Sequence, residues 1–212
     1  MGKRMKSYLV FTGLGYRIVV FAVVPVLLIL FGSLSSVIFD FPGYLLAVSL
    51  LPAIEIAMDA FIFEGVASKK IAHLEYLKTS KHGSELMKQA LQGGILRMLF
   101  SSAVILIINY LVYHGRTADI WNGKMLFQLL WFYVLAYIVS MGMIVIARFF
   151  MNAQINYTLG FLSFLVEILI MKFLKNMYIS FAILVVLGVV ISIFSVKIVE
   201  KRIKESYYDK TA

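Results

Sequence analysis

Glu64–Arg97 reads EGVASKKIAHLEYLKTSKHGSELMKQALQGGILR, the one long polar stretch in a chain otherwise made of apolar runs. It carries six of the twenty basic residues. In its first half, Ile71, Leu74 and Leu77 or Lys78 recur at helical spacing, while Lys69, Lys70 and Glu75 point elsewhere. Thr79 and Ser80 then favour a turn, and Gly83 can end a helix. Ser84 is a natural N-cap for a second helix, whose apolar face is Met87, Leu91, Ile95 and Met98. The stretch therefore reads as two short amphipathic helices broken at Thr79–Gly83, the second leading straight into an apolar run. A partnerless pair of interfacial helices would have this pattern. So would a rigid element presented to a cytosolic protein, and the strong local structure favours the second reading.

On either side of this stretch the chain changes character. It is 62% hydrophobic and 15% charged, with a mean hydropathy of +0.93. Soluble domains run at about 45–50% apolar and about 25% charged. The apolar residues fall in long runs, which marks membrane spans rather than a greasy core. The net charge of +9 resides in residues that flank those runs. Topology and lipid phosphates account for it better than nucleic acid does. Cysteine is absent, which removes disulfides and thiolate metal sites. The first run, near Ile18–Val37, is longer than the h-region of a signal peptide and is read as a retained helix.

A helix needs about 20 apolar residues to cross the hydrocarbon core. There are 22 uncharged residues between Arg17 and Asp40, with Pro25 inside to kink the helix. FDFPG at Phe39–Gly43 turns the chain back into a second span, Tyr44 to about Phe63, which contains Pro52, Glu55 and Asp59. Uncharged runs at 98–115, 125–147, 149–166 and 176–196 supply four more. The expected fold is an all-α, polytopic membrane protein of six transmembrane helices. Segments 1–17, 64–97, the turn near Arg148 and 197–212 hold 16 Lys and Arg, and the opposite connections hold 4. This bias places both termini in the cytoplasm, with the amphipathic helices between the second and third spans. The N-terminal segment is suited to lie along the inner interface, and KIVEKRIKESYYDK extends the last span as a charged helix with Glu200 and Lys204 at i,i+4. Without a repeat or linker, residues 1–212 form a single membrane domain.

Catalytic signatures are missing. His73, His82 and His114 lack metal-ligand spacing, and neither a nucleophile elbow nor a P-loop occurs. We therefore expect no catalytic residue, no metal site and no directly bound cofactor. Glu55 and Asp59 are the sharpest intramembrane feature, because i,i+4 spacing puts both carboxylates on one helix face. They line a translocation path or meet a basic substrate; alternatively, they lie in the cytoplasmic half, hydrated or neutralised by Arg97 or Arg148. Glu167 is in reach of Lys172 for a structural pair. The aromatic stretch LWFYVLAY at 130–137 and RFF at 148–150 suit lipid contact, with Trp121 and Trp131 in an interfacial belt. Ser140 to Gly142, and Gly188 with Ser192, permit close helix approach, for packing or for dimerisation.

LEYLKTSKHGSELMKQAL between a second and third span, together with six spans and both ends inside, resembles the permeases of ABC-2 type transporters, peptide and lantibiotic exporters in particular. The plan covers most of the chain, while the loop motif is loose. The resemblance implies that residues 1–17 form an elbow helix, 64–97 a coupling region and 197–212 a tail. It implies docking of an ATP-binding cassette subunit through Leu74, Glu75, Tyr76, Leu77, Lys78, Thr79, Ser80 and Lys81. ATP and magnesium would then sit on that partner, and a second permease copy would complete the unit in a bacterial cell membrane. The chain departs from many members in having only a short Lys172–Met177 connection, where they carry a larger re-entrant region. Two alternatives stand beside this: a six-span substrate-capture subunit of a vitamin-uptake transporter, and a membrane immunity or regulatory protein. The first of these docks through small-residue faces, and the first span lacks a clear AxxxA pattern.

Overall fold

Each long apolar run is a helix, as it must be where lipid offers the backbone no hydrogen-bond partners. A computed structural model describes residues 2–67, 80–115, 122–150, 153–173 and 176–208, with the side chains at 62–67, 81, 153–154, 173 and 202–208 outside the description. Seven helical elements occur among the described residues: α1 (Lys3–Phe11), α2 (Leu14–Ile38), α3 (Gly43–Ala67), α4 (Lys81–His114), α5 (Gly123–Phe150), α6 (Ala153–Phe173) and α7 (Met177–Tyr208). The last six are long and apolar enough to cross a membrane. This makes the chain a multi-pass membrane protein.

The two prolines inside the spans act differently. Just before Pro25, Val19–Val23 is a π-turn, in which the Val24 amide donates to the Val19 carbonyl. The expected disturbance is therefore a shift in hydrogen-bond register within α2. Pro52 lies inside an unbroken α3 and supplies no N–H to the Val48 carbonyl. Between α2 and α3 the chain reverses at Asp40, whose φ of 49° is a conformation aspartate tolerates. The Ser36 hydroxyl completes the turn by accepting from the Gly43 amide at 3.0 Å and donating to the Gly32 carbonyl at 2.9 Å.

α5 is the most enclosed span, packed against α3, α6 and α7, and α3 lies against α2, α4, α5 and α6. These two helices form the middle of the bundle. Trp131 corrects the sequence reading. It is 4% exposed, and its indole N–H donates to Ser180 Oγ at 2.9 Å, so it belongs to the core rather than to a lipid-facing belt. Phe132, Leu135 and Ala136 are buried with it, while Phe149 and Phe150 remain exposed. Gly188 takes α7 close to Tyr137 and Ile138 of α5, and Tyr137 and Ser192 are hydrogen-bonded. That small-residue pair thus packs within the chain, whereas Gly142 has open space. On the other side, a Cβ on Gly32 would collide with Asn109 of α4, whose amide N–H donates to the Leu28 carbonyl at 3.4 Å.

The polar stretch also differs from expectation. The N-cap of α4 is Ser80, whose hydroxyl accepts from the Gly83 amide at 3.0 Å. Gly83 thus lies buried in the first turn instead of ending a helix, and Ser84 is not the cap. The second amphipathic helix and the third span are a single helix of 34 residues. Met87, Leu91 and Met98 are buried, with Ile95 packed beside them. Tyr8 of α1 and Val196 and Val199 of α7 join Met87 and Leu91 in a small core, so α1 and the end of α7 flank the beginning of α4. α1 ends at Phe11 with Thr12 as its C-cap, and Arg17 reaches back to complete the cap. The Arg17 Nε–H donates to the Thr12 carbonyl at 3.0 Å, and its Nη2 donates to the Leu9 carbonyl.

Candidate functional site

Four charged residues inside the spans, two acids and two arginines, come together on one face of α3. Glu55 and Asp59 stand one turn apart in the last two turns of its apolar segment, Gly43–Phe61. Arg97 comes from α4 and Arg148 from α5. Arg97 Nη1 donates to Glu55 Oε1 at 2.8 Å, and its Nη2 donates to Glu55 Oε2. Arg148 Nε donates to Asp59 Oδ2 at 2.7 Å and Nη2 to Asp59 Oδ1 at 2.5 Å. Its remaining Nη1 donates to the Ser195 carbonyl of α7 at 2.8 Å. Both pairs are therefore bidentate, a geometry for which the planar guanidinium fork is suited.

Burial makes these pairs matter. The side chains of Glu55 and Arg97 are 3% and 5% exposed, and those of Asp59 and Arg148 are 13% and 3% exposed. At the centre of a spanning helix an isolated charge costs about 2.5–3.5 kcal/mol on insertion scales, and enclosure within the bundle likewise denies these groups water. Here two acids meet two bases, and the cluster is formally neutral. Of the two readings of Glu55 and Asp59, this geometry realises neutralisation by arginine. The space the four side chains share with Gly94, Ile95 and Met98 is about 10 Å³. Such a volume is at the lower limit for one water molecule.

A second layer of polar groups leads from the cluster to α1. The Tyr16 hydroxyl donates to the Met58 carbonyl at 3.0 Å, and the Tyr8 hydroxyl donates to Tyr16 Oη at 3.5 Å. Burial pushes the Tyr8 hydroxyl above the ordinary tyrosine range against the pull of the Arg97 guanidinium, so it stays a neutral donor. Ser7 Oγ donates to Gln89 Oε1 at 3.1 Å, tying α1 to α4 a little further along.

The other candidates separate. Leu74, Glu75, Tyr76, Leu77, Lys78 and Thr79 lie outside the described residues. Ser80 caps α4, and Lys81 begins it. Glu167 does not pair with Lys172; both of its oxygens are buried without a hydrogen-bond partner, and Lys172 is exposed. His114 is buried among Tyr44, Tyr110 and Tyr113, at the far end of α4 from Ser80. No group of three or more histidine, aspartate or glutamate side chains able to hold a metal occurs among the described residues. A groove of about 580 Å³ lies between α3 and α6, lined by Ala53, Ala57, Asn156 and Gly160 among others. It belongs to a different face of α3 from the arginine-bound acids.

Sequence reasoning named all four members of the ion-paired cluster. It did not foresee the Ser195 carbonyl, the tyrosine relay or the seat of Asn109 against Gly32. The only available signal was the number of charges: two acids in the second span and one arginine near each of two later ones. No protein-family model, curated protein or solved structure matches the chain.

Proposed function

We propose that the chain is the transmembrane permease subunit of an ATP-binding cassette exporter, moving a peptide or another amphipathic substrate with energy from a separate ATPase subunit. The observation that carries this reading is the continuity of α4. It runs unbroken from Lys81, at the edge of the polar stretch, to His114, and Arg97 ties it to α3 along the way. A push delivered near Leu74–Lys81 would enter two spans at once, because both helices that flank the polar stretch are joined at Glu55. Arg148 would pass the same motion to α5 and α7 through Asp59 and the Ser195 carbonyl.

In this mechanism nucleotide-driven closure of the ATPase dimer tilts α3 and α4 together. Two permease copies in a bacterial cytoplasmic membrane then alternate access between inside and outside. The polar stretch and both termini face the cytosol, as the distribution of basic residues favours. ATP and magnesium stay on the partner subunit. A substrate-capture subunit docking through its first span is less well supported. The Gly32 and Ser36 face of α2 is already occupied by Asn109 and Gly43 of the same chain.

The test is the double charge reversal Glu75→Lys with Lys78→Glu. A soluble ATPase should co-purify with the wild-type chain, and the double variant should lose both that partner and stimulated ATP hydrolysis. The thermal unfolding of its membrane part should be unchanged. Wild-type transport and assembly in the variant would sink the proposal.

A further inference from the structure

Glu167 is a buried acid that the ion-paired cluster leaves out. It lies in the apolar span Ile155–Lys172, it is 1% exposed, and neither carboxyl oxygen has a hydrogen-bond partner. Asn156 and Ser163 fall on the same face of α6, eleven and four residues earlier. Asn156 Oδ1 is also buried without a donor, while Ser163 Oγ is engaged with the Gly160 carbonyl at 2.6 Å. This stripe offers acceptors and no cation.

Among the described residues, the helices packed against α6 do not supply a cation either. From α3 come Glu55 and Asp59, each held by an arginine, and Tyr44, which sits among Tyr110, Tyr113 and His114. From α5 come Arg148, held by Asp59 and Ser195, and Tyr133 and Tyr137, bonded to the Leu99 carbonyl and to Ser192. Lys124 of α5 and Lys172 and Tyr157 of α6 are exposed. An ionised Glu167 would be a buried charge that no described side chain compensates. A proton is the one ligand that removes the charge and needs no further space.

We propose that Glu167 is a proton-binding site, loaded while α6 is seated against α3 and α5, and that release of its proton to water is coupled to withdrawal of α6. The coupling follows from how few side chains of this helix are fully enclosed. Among its described side chains only Leu159, Ser163 and Glu167 are buried. Ionisation in place would leave one of those three as an unpaired carboxylate, and displacement of α6 relieves that by giving it water. This device stands independently of any ATPase partner.

The natural chain lacks cysteine, so a single reporter pair can be introduced. A Cβ on Gly160 would sit 3.7 Å from Ala53 Cβ, which makes Ala53→Cys with Gly160→Cys a probe of α6 seating. Disulfide yield in the full-length protein in lipid should fall several-fold as pH is raised, relative to the same pair carrying Glu167→Gln. Thiol ionisation is common to both and cancels in the comparison. Superimposable profiles would overturn the proposal. If Glu167→Gln does not fold, Glu167→Leu takes its place. Infrared spectroscopy of the wild type gives a second readout, a protonated-carboxyl carbonyl band at neutral pH that the Glu167 variant lacks. A Glu167 that is ionised at neutral pH would likewise overturn the proposal.

Discussion

Arg97 can be understood only together with Glu55. Removing one partner of a buried pair leaves an uncompensated charge and costs about 3–5 kcal/mol, whereas replacing both with apolar groups of similar volume is often neutral. Arg97→Met alone should therefore destabilise the protein by roughly that amount, and Glu55→Leu with Arg97→Met should recover most of the loss. Denaturant unfolding in detergent checks this, and additive effects of the two substitutions would show that the pair does not act as a unit. At the same scale, i,i+4 spacing made the common face of Glu55 and Asp59 legible in advance. Their assignment to Arg97 and Arg148 respectively was not legible, because it depends on which helices stand beside α3. Glu167 shows the same limit from the other side. Lys172 is near in sequence, yet the carboxyl points into the bundle and the lysine is exposed.

Among the elements, α1 shows how a polar segment acquires a fixed place. Its helix has little apolar character of its own, and it is held by Tyr8, Ser7 and the cap from Arg17. Gly93 of α4 makes the seat, since a Cβ there would press on Tyr8 Cβ at 2.7 Å and on the Arg4 backbone. Gly93→Val should lift α1 at a cost of about 1–3 kcal/mol, the usual range for overpacking. Trypsin should then cut rapidly at Lys3, Arg4 and Lys6 while α2 to α7 stay intact; unchanged protection would place the seat elsewhere. The start of α4 was misread from sequence for a related reason. Ser80 and Ser84 are equally good caps locally, and Gly83 looks like a helix end. Burial of Gly83 in the first turn and of Met87 and Leu91 against α1 and α7 selects the earlier start.

For the molecule as a whole, the two ion pairs and the Ser195 carbonyl link α3, α4, α5 and α7 at one level of the bundle, while α6 stays outside that linkage. The same cysteine-free background allows its orientation to be measured. Single cysteines at Lys78 and at Trp121 should react with impermeant reagents from opposite sides of the membrane, position 78 from the cytosol. Labelling of both from one side would overturn the proposed topology.

By itself the sequence determined six apolar helices, the places where polar connections interrupt them and the absence of familiar catalytic motifs. Each of these depends on local composition and on the length needed to cross a hydrocarbon layer. Tertiary structure alone decided which arginine meets which acid, that Trp131 is core, that α4 is a single helix from Lys81 onward, and that Glu167 stands without a partner among the described residues. Those outcomes depend on which faces of distant helices come together, and helical periodicity within a single span carries no information about its neighbours.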